Sequence, residues 1–107
     1  MKILILGAGQ VGTSVAAALS IEDENDITVV DRDMTRLREL TEKLDIRAVA
    51  GHASLPSILT QAGVEEADLL VAVTSSDEVN IIACQIAAQQ SKSPIRVARL
   101  REQEYLA

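Results

Sequence analysis

Gly7, Gly9 and Gly12 fall at the spacing G-x-G-x-x-G, directly after the apolar run KILIL and at the head of a stretch with helical periodicity. At that junction Gly7 permits a tight turn, Gly9 lets a pyrophosphate approach the backbone, and Gly12 lets a helix pack closely on the sheet. The backbone N–H groups of Ala8, Gly9, Gln10 and Val11 then face the phosphates, with the positive end of a helix dipole behind them. Asp31 closes the run ITVVD, about 20 residues further on, where such a fingerprint places an acid on the adenosine ribose hydroxyls. A strand-end Asp also serves as a cap for the following helix, so both readings stand. A ribose 2′-phosphate about 4 Å from that carboxylate would be repelled by several kcal/mol at an effective dielectric near 20, which favours NAD or NADH over NADP. Arg32 offsets part of that repulsion; it lies over the adenine face or is a surface residue.

Gly51 and His52 follow the third apolar run and border the adenine side. His52 is the only histidine, and no carboxylate stands at a spacing that pairs with it, so it reads as a pocket wall or a loop residue and not as a general base. Thr74 and Ser75 close the fourth run, in VTSSDEVN. Ser75-x-x-Glu78 fits a capping box, which points a helix N-terminus into the crevice of the glycine loop. Thr74, expected across from Gly7, and Ser75 come within reach of a ribose or phosphate, and Ser75 reads equally as a cap alone. Asp77, Glu78 and the Glu22-Asp23-Glu24 run have no metal-ligand spacing and read as solvated faces. With no Ser-His-Asp, Cys-His, H-E-x-x-H or Y-x-x-x-K arrangement in the sequence, no catalytic residue and no metal site are expected. Two functions of different class follow: a module that binds a nucleotide and reports it, or the cofactor half of an NAD-dependent oxidoreductase.

The elements that hold these residues are read from hydrophobic period. Two-face apolar runs predict strands over 2–6, 27–31, 46–50, 68–74 and 95–100, alternating with helical stretches over 10–20, 33–44, 55–62 and 77–90. Strands apolar on both faces belong to a parallel sheet covered by helices on both sides. Right-handed crossovers give an α/β doubly wound parallel Rossmann-like sheet of order 3-2-1-4-5, with ligands at the carboxyl ends of the strands. At 107 residues the chain is one domain, 1–107. The polar stretch REQEYLA reads as a helix start cut short, and a longer protein is expected. A net charge of -6 argues against nucleic acid as a partner. No apolar run approaches the roughly 20 residues of a membrane span, so a soluble, cytosolic chain is expected. Cys84 is the only cysteine and is expected as a buried, inert thiol. Apart from Tyr105 the apolar residues are aliphatic, which suits close packing of layers.

Taken together, MKILILGAGQVG, TVVDRD, GHAS followed by Ala62-Gly63, DLLVAVTSSDEVN and RVARLR resemble the N-terminal nucleotide-binding domain of the RCK (or KTN) family. The resemblance covers nearly the whole chain. It implies a cytoplasmic regulator, peripheral on the inner face of the membrane, that forms a homo-oligomeric ring beneath a potassium transporter or channel subunit of the TrkH-like kind. It implies NAD or NADH as ligand, with ATP or ADP at the same site in some members. On this sequence the family's pyrophosphate loop falls on Gly7 to Gly12, its ribose acid on Asp31, its adenine-side loop on Gly51 and His52, and its switch-point residues on Thr74 and Ser75. Arg99 matches a position where many members carry an arginine near the ligand or a subunit contact; its other reading is a sheet-edge charge. His52 stands where the family commonly has an acid. Potassium enters through this resemblance alone.

Overall fold

The computed structural model describes residues 1–90 and 94–106. Five strands, β1 (Lys2–Leu6), β2 (Asp26–Asp31), β3 (Arg47–Ala50), β4 (Leu69–Ala72) and β5 (Ile95–Ala98), form one sheet in the order β3-β2-β1-β4-β5. Every pairing is parallel. The sheet therefore has the order that the crossover rule predicts, and its direction of winding reverses between β1 and β4.

Successive side chains of a strand point to opposite faces, and β1 shows what this does to the core. Leu4 and Leu6 enter one apolar layer with Leu59 of α3 (Pro56–Gln61) and Ala83 and Ala87 of α4 (Asp77–Gln90). Ile3 and Ile5 enter the other, with Ala16 of α1 (Gln10–Leu19) and Leu37 and Leu40 of α2 (Met34–Lys43). Alanine at the contact positions of α1 and α4 lets those helices sit close to the sheet. Asp33 fixes the start of α2, its Oδ1 accepting the N–H of Thr35 at 2.9 Å and of Arg36 at 3.2 Å.

Several boundaries move relative to the sequence reading. The ladder ends at Ala72 and Ala98, two residues earlier than the expected strand ends at 74 and 100. Val73 N–H still donates to Leu6 C=O and Arg99 N–H to Ala72 C=O, both at 2.9 Å, and past these bonds the backbone turns to side-chain partners. That early divergence opens a cleft above β1 and β4. Two 3-10 turns, Val64–Glu66 and Gln103–Tyr105, are too short to leave a period in the sequence. The second replaces the helix start expected in REQEYLA, of which Ala107 lies outside the described residues.

Cys84 departs from expectation in its burial, being only half-buried on α4. Burial nonetheless pushes its thiol above the ordinary value, opposed in part by the positive charge of Arg96. Because the thiolate is the nucleophile, alkylation of Cys84 by iodoacetamide at pH 7.5 is expected to run slower than that of a free cysteine. An equal or faster rate would contradict this environment.

Candidate functional site

The cleft at the carboxyl ends of β1, β2 and β4 has a volume of about 890 Å³, within the roughly 300–1,000 Å³ of small-molecule sites. Of the sequence-predicted residues, Gly7, Gly9, Gln10, Val11, Asp31, Arg32, Gly51, His52, Thr74, Ser75 and Arg99 line it. Ala8 and Gly12 stand behind its wall, Ala8 being 3% exposed and Gly12 buried on α1.

The glycines are required for different reasons. Gly7 has φ +111°, and a Cβ there would come within 2.8 Å of the Val73 carbonyl oxygen. A Cβ on Gly12 would collide with the carbonyl oxygen of Gly7. Gly9 is the opposite case: a Cβ there meets nothing within 4 Å, and its φ of -77° suits any residue. Nothing in the protein demands glycine at position 9, so any demand for it comes from what fills the cleft. Gly9 is also the N-cap of α1, which has no side-chain cap and no acidic residue in its first turn. The first intrahelical bond runs from Thr13 N–H to Gly9 C=O at 2.9 Å, so the amides of Gly9 to Gly12 have no partner inside the helix.

Ala8 corrects the expected donor set. Its N–H donates to Asp31 Oδ2 at 2.7 Å and is not offered to phosphate. Asp31 Oδ1 accepts the N–H of Asp33 at 2.8 Å. The cap of α2 is Asp33, so the capping reading of Asp31 does not hold. An ionised carboxylate has about four lone-pair sites, and two of these remain for hydroxyl donors. Arg32 is an exposed residue on the cleft wall. His52 braces its own turn, with Nδ1 2.7 Å from Ser54 Oγ and accepting Ser54 N–H at 3.3 Å. Gly51 beside it packs under Ile58, whose Cδ1 a Cβ would approach to 2.5 Å.

Three corrections concern the opposite wall. Ala72 pairs with Leu6, so Val73, not Thr74, stands across from Gly7. The N-cap of α4 is Ser76, whose Oγ accepts Val79 N–H at 3.3 Å and donates to Glu78 Oε2 at 3.2 Å. The helix begins at Asp77, so the cap lies one residue later than expected, Val79 occupies the third helical position and no capping box forms; Ser75 is left exposed on the cleft wall. Thr74 has its hydroxyl proton directed at Asn80 Oδ1, 2.7 Å away, while Oγ1 accepts Ser76 N–H at 3.2 Å. With that single proton engaged, Thr74 Oγ1 has only acceptor capacity left, which matches a hydroxyl donor and not a phosphate oxygen.

Asn80 and Asp77 are the residues that sequence reasoning missed. Asn80 is fully buried; its Oδ1 also accepts Thr74 N–H at 3.0 Å, and its Nδ2 donates to Thr74 C=O at 3.2 Å and Arg99 C=O at 2.9 Å. Asp77, read as a solvated acid, is 9% exposed. The available signal was spacing, since 77 and 80 continue the buried stripe of Ala83 and Ala87 on α4. Arg99 directly follows the edge strand β5 and is partly exposed, yet it is not isolated: its Nη2 donates to Thr74 C=O at 3.1 Å and, more weakly, to Val73 C=O at 3.4 Å. Its Nε is buried and has no acceptor among the described residues. These features fit a nucleotide: an uncapped helix end beside an open Gly9, a carboxylate with spare lone pairs, and a cationic side chain with an unused donor.

The family model described as the TrkA-N domain matches residues 3–107. The chain is 59% identical over 106 residues to the Trk system potassium uptake protein TrkA of Halomonas elongata, a match covering 99% of this chain and 23% of that protein. The chain thus spans about a quarter of that relative's length. The crystal structure of the TrkA-N domain of inner membrane protein ybaL from Escherichia coli superposes with a TM-score of 0.79 at 26% identity, over 96% of this chain and 75% of that one. The AMP-bound Kef CTD of Shewanella denitrificans has the same fold, with a TM-score of 0.80 at 20% identity over 98% of this chain and 62% of that one.

Proposed function

The chain belongs to the TrkA-N domain family, and from that premise we propose that it is the nucleotide-sensing module of a TrkA-type regulator of potassium uptake. Its ligand is NAD or NADH, with ATP or ADP as alternatives in the same cleft. The observation that carries this reading is the uncapped start of α1 at Gly9, beside the Asp31 carboxylate in one cleft. The amides of Gly9 to Gly12 would hold a pyrophosphate, and Asp31 the adenosine ribose hydroxyls. Thr74 would accept from a second hydroxyl, Arg99 would meet negative charge, and Gly51 and His52 would wall the adenine. A nicotinamide ring, when bound, would supply hydride chemistry. The imidazole of His52 is turned to its own loop, with Nδ1 2.7 Å from Ser54 Oγ, which supports a nucleotide that is held and not consumed.

Regulation then rests on differential affinity. A nucleotide that fits two conformations of an assembly unequally shifts their populations; one that fits both equally shifts nothing. The assembly is a homo-oligomeric ring on the cytoplasmic face of the membrane, and its partner is a TrkH-like potassium transporter or channel subunit. The family resemblance and the name of the Halomonas relative support this role. No helix among the described residues is long and apolar enough to cross a membrane.

Thermal denaturation with NAD, NADH, NADPH, ATP, ADP and AMP tests the reading. A ligand at about 100 times its dissociation constant adds roughly 2.7 kcal/mol, a rise in Tm on the order of 10 °C for a domain of this size. If none of the six raises Tm, the nucleotide reading fails. Gly9→Ala sharpens the test, because its Cβ enters open space within the protein. Stability is expected to change by less than about 1 kcal/mol, while calorimetric affinity for NAD falls about tenfold or more. Unchanged affinity would remove the loop from the site.

A further inference from the structure

The outer wall of the cleft is built by chain that has already left the sheet. After β5, both Arg99 and Arg101 line the cleft; the last ladder-type bond is Arg99 N–H to Ala72 C=O, and from Arg99 C=O to Glu102 N–H the backbone is held by side chains of α4. Asp77 Oδ2 accepts the N–H of Arg101 at 2.9 Å and of Glu102 at 2.6 Å. Asn80 Nδ2 holds Arg99 C=O at 2.9 Å, and Tyr105 hydroxyl donates to Glu78 Oε1 at 3.1 Å. All three acceptors or donors sit in the first turn of α4, and that same turn holds the end of β4 through Thr74. One helical turn thus borders the cleft on one side and grips the departing segment on the other.

We propose that residues 99–105 are a strap latched by Asp77, and that nucleotide in the cleft tightens this latch, so that occupancy is passed to the chain leaving the sheet. The proposal rests on the nucleotide reading above. Asp77 is a positioning residue: it acts through the backbone of Arg101, whose side chain forms part of the wall. Both strap amides share one carboxylate oxygen, so release of that oxygen frees both together. Coupling of this kind is reciprocal, and the factor by which ligand strengthens the latch equals the factor by which the latch strengthens ligand binding.

Hydrogen exchange with and without saturating NAD, or ATP if NAD gives no thermal shift, tests the strap. Exchange at the amides of Arg101 and Glu102 is expected to slow about fivefold or more on binding. Asp77→Ala is expected to raise the calorimetric Kd by a matching factor at a temperature below both melting transitions. Asp77→Asn, which keeps an acceptor oxygen, is expected to restore most of the affinity. A purely structural role for Asp77 would lower Tm and leave Kd unchanged. Should Asp77→Ala not fold, the wild-type exchange comparison and Asp77→Asn still decide. Nucleotide that binds without slowing those two amides overturns the strap; absence of any nucleotide binding overturns the underlying reading instead.

Discussion

Gly12→Ala is expected to lower folding stability by about 3 kcal/mol or more, at the upper end of the cost of forcing a methyl into a packed interior. The added Cβ meets the carbonyl oxygen of Gly7, an atom with no rotamer to yield. Gly7 itself is held in the turn by its N–H bond to Val30 C=O at 2.8 Å and by a backbone conformation at φ +111°. Relief would require α1 to lift from β1 and β4, undoing the layer of Ile3, Ile5, Ala16 and Val73. For a domain of about 100 residues this corresponds to a fall in Tm on the order of 12–24 °C, readable by circular dichroism. Gly51→Ala provides the comparison, because there the obstructing atoms are the ends of the flexible Ile58 side chain. A Gly12→Ala protein melting within a few degrees of wild type would show that the helix yields more readily than its packing implies.

Asn80→Leu is expected to cost a similar amount for a different reason. The leucine preserves apolar volume on α4 but leaves Thr74 N–H and Arg99 C=O without their side-chain partner. Each buried group so stranded costs about 1–3 kcal/mol, giving about 2–6 kcal/mol in all. Thr74 hydroxyl retains Ser76 C=O at 3.1 Å as an alternative acceptor, and Thr74 C=O retains Arg99 Nη2, so those two contacts soften the loss. Chemical denaturation measures the effect, and the slope with denaturant reports whether the unfolded state changed as well. Nucleotide affinity, measured where the variant is still folded, is expected to fall too, since Asn80 orients both Thr74 and the chain carrying Arg99. A midpoint shift equivalent to less than about 1 kcal/mol would mean that water replaces the amide without penalty.

The sheet order and the location of the cleft followed from local pattern because both depend on features that local pattern records. LLVA and ITVV are two-face apolar runs because their strands are covered on both sides, and a parallel sheet then gathers its strand ends around one crevice. Caps were a different matter. Whether Ser75 or Ser76 closes the start of α4, and whether Asp31 or Asp33 starts α2, turns on one residue in the first case and two in the second, finer than a 3.6-residue period resolves. Asp77 and Asn80 escaped for another reason: their partners at Arg99, Arg101 and Glu102 lie 19 to 25 residues away, reached only because β5 lies beside β4. Polar residues on a buried stripe were visible; what satisfies them was not.

The bond from Ala8 N–H to Asp31 Oδ2 joins the two halves of the cleft across 23 residues of chain. Under the nucleotide reading proposed above, the loop that would meet phosphates and the acid that would meet the ribose are mutually aligned before anything arrives. Ordering is a cost that most binding events bear at the moment of contact. On that reading much of it is met during folding, and an incoming nucleotide would encounter a preorganised receptor, leaving its response free to appear elsewhere, in the proposed strap beyond β5.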